Sequence, residues 1–175
     1  MRPINEIVIH CSATRRNWMQ GATADAKVAE IKRWHTQDNG WSDIGYHYAI
    51  DRDGRVIGGR SVATSGAHTL GRNANTIGVC LIGGHGSSET DRFDEHFTSM
   101  QDRALRKLIK SLQSEHGRLS VSGHNQYAAK ACPGFTVSEW IASAPPVGGE
   151  AVTANASPLA VIVKAFLSAM KGRKS

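Results

Sequence analysis

The sequence predicts an α/β fold, a central mixed β-sheet with helices packed on its faces. Three observations carry that expectation. Short apolar runs of strand type occur at residues 4–9, 76–82 and 119–121, amphipathic segments of helical spacing occur at 23–34 and 98–116, and the two kinds alternate along the chain. With 175 residues, 40% hydrophobic and 21% charged, the chain suits one soluble domain with a real core and some excess. It contains no apolar run of the ~18 residues a membrane span needs.

Taken in order, residues 4–9 form a buried strand that ends at His10. Thr23 then offers an N-cap to a helix through Trp34, with Asp25 in its first turn and Val28, Ile31 and Trp34 or His35 on its apolar stripe. Asp38-Asn39-Gly40 stops it. Segments 46–50 and 56–60 flank Asp51-Arg52-Asp53-Gly54, a hairpin signal, and residues 76–82 are a strand closed by Gly83-Gly84. Thr98-Ser99-Met100-Gln101 is a capping box, followed by Leu105, Leu108, Ile109 and Leu112 at helical spacing until Gly117. Residues 119–121 are a last strand leading to His124.

Beyond the domain, expected over residues 1–144, a Pro/Gly-rich and then small, polar stretch at 145–157 reads as a linker. Residues 158–175 then place Leu159, Ile162, Val163, Phe166, Leu167 and Met170 on one helical stripe, opposite Lys164, Ser168 and Lys171. This is an amphipathic basic helix. It carries +4 of the chain's +6 net charge, since no acidic residue follows Glu150. The domain itself is then nearly balanced, which argues against a broad basic face and against a nucleic-acid partner.

The densest chemistry lies in His124-Asn125-Gln126-Tyr127-Ala128-Ala129-Lys130-Ala131-Cys132-Pro133-Gly134, where a histidine, a lysine and a cysteine fall close together. With His10 they could complete a zinc site, two imidazoles and one thiolate leaving a fourth position for water. Pro133 favours extended geometry at Cys132, which would turn Lys130 and Cys132 to one side. Three cysteines exclude a full disulfide framework, and Cys11 and Cys80 sit in apolar, strand-like surroundings. Cys11 should point away from His10 across the strand and take no part in a shared metal site.

Together with His10-Cys11-Ser12, Gly45-Tyr46-His47 and Asn75-Thr76-Ile77-Gly78-Val79, this segment makes residues 4–141 resemble the type 2 N-acetylmuramoyl-L-alanine amidases, the phage-lysozyme-type zinc amidases whose superfamily includes the peptidoglycan recognition proteins. The resemblance implies a central sheet flanked by helices and a groove holding Zn2+. It places zinc ligands at His10, His124 and Cys132 and catalytic roles at Tyr46 and Lys130. It implies hydrolysis of the amide between N-acetylmuramic acid and L-alanine in peptidoglycan. An extra stretch at 18–26 and the tail depart from the family pattern.

Taken singly, each residue has a plainer reading. His10 alone would be a strand-end histidine, Lys130 a solvated loop lysine and Tyr46 a half-buried strand tyrosine, with Tyr48 on the same face serving as well. His47 points away from Tyr46, as a core histidine or a partner of the site, and His68 is a substrate contact or a solvated loop histidine. No His-Glu-x-x-His motif supplies an acid/base glutamate, so Tyr46 and Lys130 must cover that role.

The expected protein is a phage or prophage endolysin, monomeric, made in the host cytoplasm without a signal peptide and dependent on a holin for access to the cell wall. Its tail would bind an anionic membrane or lipopolysaccharide, or else dock on the domain. A peptidoglycan-binding module without hydrolysis, which retention of Cys132 opposes, and a bacterial wall-remodelling amidase are the alternatives.

Overall fold

The computed structural model describes residues 2–145, so the expected basic helix and all but the first residue of the expected linker lie outside the described residues. Among the described residues, five strands form one sheet: β1 (Glu6–Cys11), β2 (Tyr48–Ile50), β3 (Val56–Gly58), β4 (Thr76–Leu81) and β5 (Ser120–Gly123). Their spatial order is β3-β2-β4-β1-β5, with β2, β4, β1 and β5 parallel and β3 antiparallel at the edge. The sheet is therefore mixed, as expected. The central strands β1 and β4 are buried along their whole length, which is why they read as unbroken apolar runs.

Helix α1 (Ala24–Arg33) covers one face, and α3 (Ser99–His116) covers the other, with the short helices α2 (Phe93–His96) and α4 (Val137–Ala142) beside it. On the α3 side, Ile7, Ile9, Ile77, Val79 and Leu81 meet Leu105, Leu108, Ile109 and Leu112. On the α1 side, Val28 and Ile31 meet Ala49, Cys80 and Ile82. The short helices escaped the sequence reading because one or two turns display no period.

The expected caps are present. Thr23 Oγ1 accepts from the Ala26 amide at 3.2 Å, and the Thr98–Gln101 box closes with both bonds at 3.1 Å. Gln101 also donates from Nε2 to the carbonyls of Ile50 and Ile82, at 3.1 and 2.9 Å, fastening the start of α3 to the ends of β2 and β4. Helix α1 opens into a π-helical turn at Trp34–Asp38 before the chain reverses at Gly40, whose φ is 70°.

A buried ion pair joins α1 to the end of β2, Lys27 Nζ lying 3.0 and 2.8 Å from the two Asp51 oxygens. Replacing Lys27 by Met leaves the carboxylate buried and uncompensated. We expect a loss of about 3–5 kcal/mol in urea unfolding, and a loss under ~1 kcal/mol would contradict this reading of the pair.

Two sequence expectations are corrected. Strand β1 extends through Cys11, so His10 lies inside it and pairs in register with Cys80 rather than marking its end. Tyr46 and Tyr48 do not share a face: Tyr48 joins the α3-side core, whereas Tyr46 packs on the α1 side. The cause is a bend at His47. Its Nδ1 accepts from the Gly78 amide at 2.9 Å, where a strand carbonyl would otherwise accept, and Nε2 lies 3.1 Å from the Thr64 carbonyl, to which it donates as the neutral tautomer.

His47 is thus a satisfied core histidine. Burial lowers its pKa from 6.5 to about 4 against the raising effect of the Thr64 carbonyl, with the charges of Arg2 and Arg60 adding to the lowering. Since the folded value lies below the unfolded one, unfolding takes up a proton between these limits. The stabilisation is complete above pH ~6.5 and is lost as pH falls toward ~4, roughly 3 kcal/mol in all. Denaturant midpoints followed across that window should fall with acidification; a flat profile would contradict the assignment.

Candidate active site

Three side chains from separate segments meet beside the C-terminal end of β1. His10, Cys132 and His124 each offer a donor atom, and these atoms all lie within 4.8 Å of one another. His10 is 1% exposed on β1 and directs Nδ1 toward Cys132 Sγ at 3.8 Å. His124 follows β5 in a 3-10 turn, its ring centroid 4.6 Å from that of His10.

The loop carrying Cys132 is tied back to this turn, since the Asn125 amide donates to the Cys132 carbonyl at 2.7 Å. The Cys11 amide donates to Cys132 Sγ at 3.2 Å. Cys11 belongs to the α3-side core and is absent from the donor cluster, as expected from strand alternation. Residues 130–132 are not extended: the chain bends at Lys130 and turns at Cys132-Pro133, so it is loop curvature that brings the lysine beside the cluster.

Electrostatics suit a cation. Burial first, then the crowding of the His68 and His124 imidazoles, which leaves no room for a second charge, and the ammonium of Lys130 hold the His10 pKa well below its ordinary value, and burial followed by Lys130 lowers that of His124. Both rings are therefore neutral and keep a lone pair to donate. Without a metal, the adjacent Cys11 thiol and burial push the Cys132 thiol up. A metal would reverse this by binding the thiolate. Neutral imidazole, neutral imidazole and thiol is the donor chemistry of a tetrahedral zinc site with one position left over.

Tyr46 lies beside this cluster, its ring tilted 48° to that of His10 at 5.2 Å, and burial, with the thiols of Cys80, Cys132 and Cys11, pushes its pKa well above 10. It stays a phenol, able to donate. On its outer side come His35 at 5.3 Å and the partly exposed Trp41 at 4.7 Å from His35. His35, which the sequence could place only as an alternative stripe residue, is oriented by the Gly45 amide donating to Nδ1 at 3.0 Å.

His68 is neither solvated nor open to the surface. It is 8% exposed, and its Nδ1 lies 3.0 Å from His10 Nε2. Sequence reasoning missed this contact because the two residues are far apart in the chain.

A further buried group braces the segments that bear the site. Burial alone would raise the pKa of the Glu6 carboxylate, but bonds from Ser122 at 2.6 Å, from Tyr127 and from Arg72 at 2.8 Å hold it below the ordinary value. This links β1, the loop after His68 and the turn after His124. A hollow of about 390 Å³ beside α2 and α4 contains none of the cluster, and its Asp91 and Asp102 are already paired with His96 and Arg106.

Residues 1–135 match the family described as N-acetylmuramoyl-L-alanine amidase. Among similar proteins, the endolysin of Escherichia phage T7 is 40% identical over 134 residues, covering 77% of this chain and 83% of that one. The endolysin of Klebsiella phage KP32 is 39% identical over 136 residues, covering 78% and 84%. Among solved structures, the N-acetylmuramoyl-L-alanine amidase LysC from Clostridium intestinale superposes with a TM-score of 0.64 at 27% identity, covering 81% of this chain and 85% of that one.

Proposed function

Because the chain belongs to the N-acetylmuramoyl-L-alanine amidase family, we propose that His10, His124 and Cys132 hold one zinc ion and that Lys130 and Tyr46 act on the amide placed beside it. The protein is a phage-type amidase that cuts the stem peptide from the glycan of peptidoglycan. The observation that carries the zinc reading is the convergence of two neutral imidazoles and one thiol from three segments.

A zinc ion held there would supply Lewis acidity toward the carbonyl and would make a water acidic enough to serve as the nucleophile near neutral pH. The remaining work falls to the chain. Lys130, whose charge already reaches His10 and His124, places an ammonium where the carbonyl oxygen gains negative charge. Tyr46, kept protonated with its hydroxyl beside the Cys80 thiol, would turn its Oη–H to orient the attacking water, and with Lys130 it would cover the proton transfers that a glutamate performs elsewhere. The partly exposed Trp41 and His35 form the wall beside Tyr46.

Mass spectrometry of purified peptidoglycan after digestion tests this reading. Intact stem peptides with free L-alanine amino termini should appear, and a chelator should stop their release. Release undiminished by the chelator would contradict the zinc assignment, and fragments cut within the glycan would contradict the reaction.

We further propose that the enzyme reaches the wall through a membrane lesion made by a holin, and that residues 158–175 bind anionic membrane or lipopolysaccharide through an apolar stripe with Lys164 and Lys171 opposite it. Removing residues 158–175 should abolish binding to anionic vesicles. Unchanged binding would end the proposal for the tail.

A further inference from the structure

We propose that His68 is a positioning residue for the metal centre, fixing which nitrogen of His10 faces the ion; the inference rests on the zinc reading above. A chain of hydrogen bonds leads from a backbone carbonyl to His10, and its direction is set at the far end. The Arg72 carbonyl can only accept, so Thr76 Oγ1, 2.9 Å away, donates to it. Thr76 then offers a lone pair to His68 Nε2 at 3.3 Å, which places the His68 proton on that nitrogen. His68 Nδ1 is left bare. It accepts from His10 Nε2 at 3.0 Å, and His10 Nδ1 is consequently the unprotonated nitrogen, directed at Cys132 Sγ 3.8 Å away. A metal-binding imidazole needs this arrangement, with its outer N–H held and its inner lone pair free.

The His68 ring is seated for the purpose. It lies between two glycines, and a Cβ at either Gly66 or Gly78 would come within 2.5 Å of its Cδ2. Any larger residue at these positions would displace it. Asn73 Oδ1 accepts from the amides of His68 and Thr69, at 2.8 and 3.0 Å, holding the loop, while Thr69 Oγ1 lies 3.0 Å from His68 Nδ1 and supports the same nitrogen.

The test compares the full-length wild type with His68→Leu, His68→Asn and Thr76→Val. It measures zinc dissociation constants by chelator competition and the absorption spectrum of the cobalt-substituted proteins. His68→Leu should weaken zinc binding roughly 10–100-fold and alter the cobalt spectrum, because His10 is then free to turn. His68→Asn puts an acceptor oxygen where Nδ1 stood and should restore most of the affinity and the spectrum. Thr76→Val, which keeps shape but removes the hydroxyl, should weaken zinc several-fold, roughly a third to a tenth of the loss in His68→Leu.

Wild-type affinity and spectrum in His68→Leu would overturn the positioning role. If that variant does not fold, as judged by thermal unfolding of the metal-free proteins, Thr76→Val decides: weaker binding supports the role and unchanged binding overturns it. Failure of the wild type itself to bind zinc would instead overturn the metal reading on which the inference rests.

Discussion

Replacing Cys132 by Ala should abolish zinc binding and hydrolysis together. The thiolate is the one anionic donor of the cluster, and the two imidazoles that remain, His10 and His124, are neutral rings on separate segments. Loss of an outer partner of a metal ligand costs about 10–100-fold in affinity, so loss of a ligand should cost more, and turnover should fall by at least ~10³-fold. The fold should survive, because Cys132 sits only half-buried in a turn at the margin of the core. Metal content after dialysis and turnover on purified muropeptide check this. A variant that kept one zinc per chain would contradict the ligand assignment.

Lys130→Ala should separate catalysis from metal binding. Lys130 is exposed, its amide donates to the Ala128 carbonyl at 2.8 Å, and alanine keeps that bond. Its ammonium donates no ligand, so zinc content should be unchanged. Removing one donor from a developing oxyanion costs about 3–4 kcal/mol of barrier, which corresponds to a fall of ~10²–10³-fold in kcat with KM little altered. Near-normal turnover would show that the oxyanion is stabilised elsewhere. Parallel loss of zinc would show that Lys130 acts by holding the loop that carries Cys132.

Much of this was legible in the residues. The buried strands, the capping box at Thr98 and the N-cap at Thr23 are local signals, and each matches an observed element because local chemistry and tertiary packing agree there. The motif resemblance named His10, His124 and Cys132, and these three side chains do converge. What escaped was non-local. The bend that parts Tyr46 from Tyr48 arises when the His47 ring takes a place in the β2–β4 ladder, and nothing in the sequence period marks that exchange. The His68–His10 bond spans 58 positions, and the slot that receives the ring is made by two glycines of different segments. Lys130 reaches the cluster through a bend rather than an extended run because the loop is tied at the Asn125–Cys132 bond.

Anomalous diffraction at the zinc edge, from crystals of the protein grown with zinc, tests the central claim most directly. The account predicts one strong peak per chain, about 2.0–2.1 Å from a nitrogen of each of His10 and His124 and about 2.3 Å from Cys132 Sγ, with no fourth protein ligand. A peak bound to other side chains, or a site closed by a fourth residue of the chain, would contradict it.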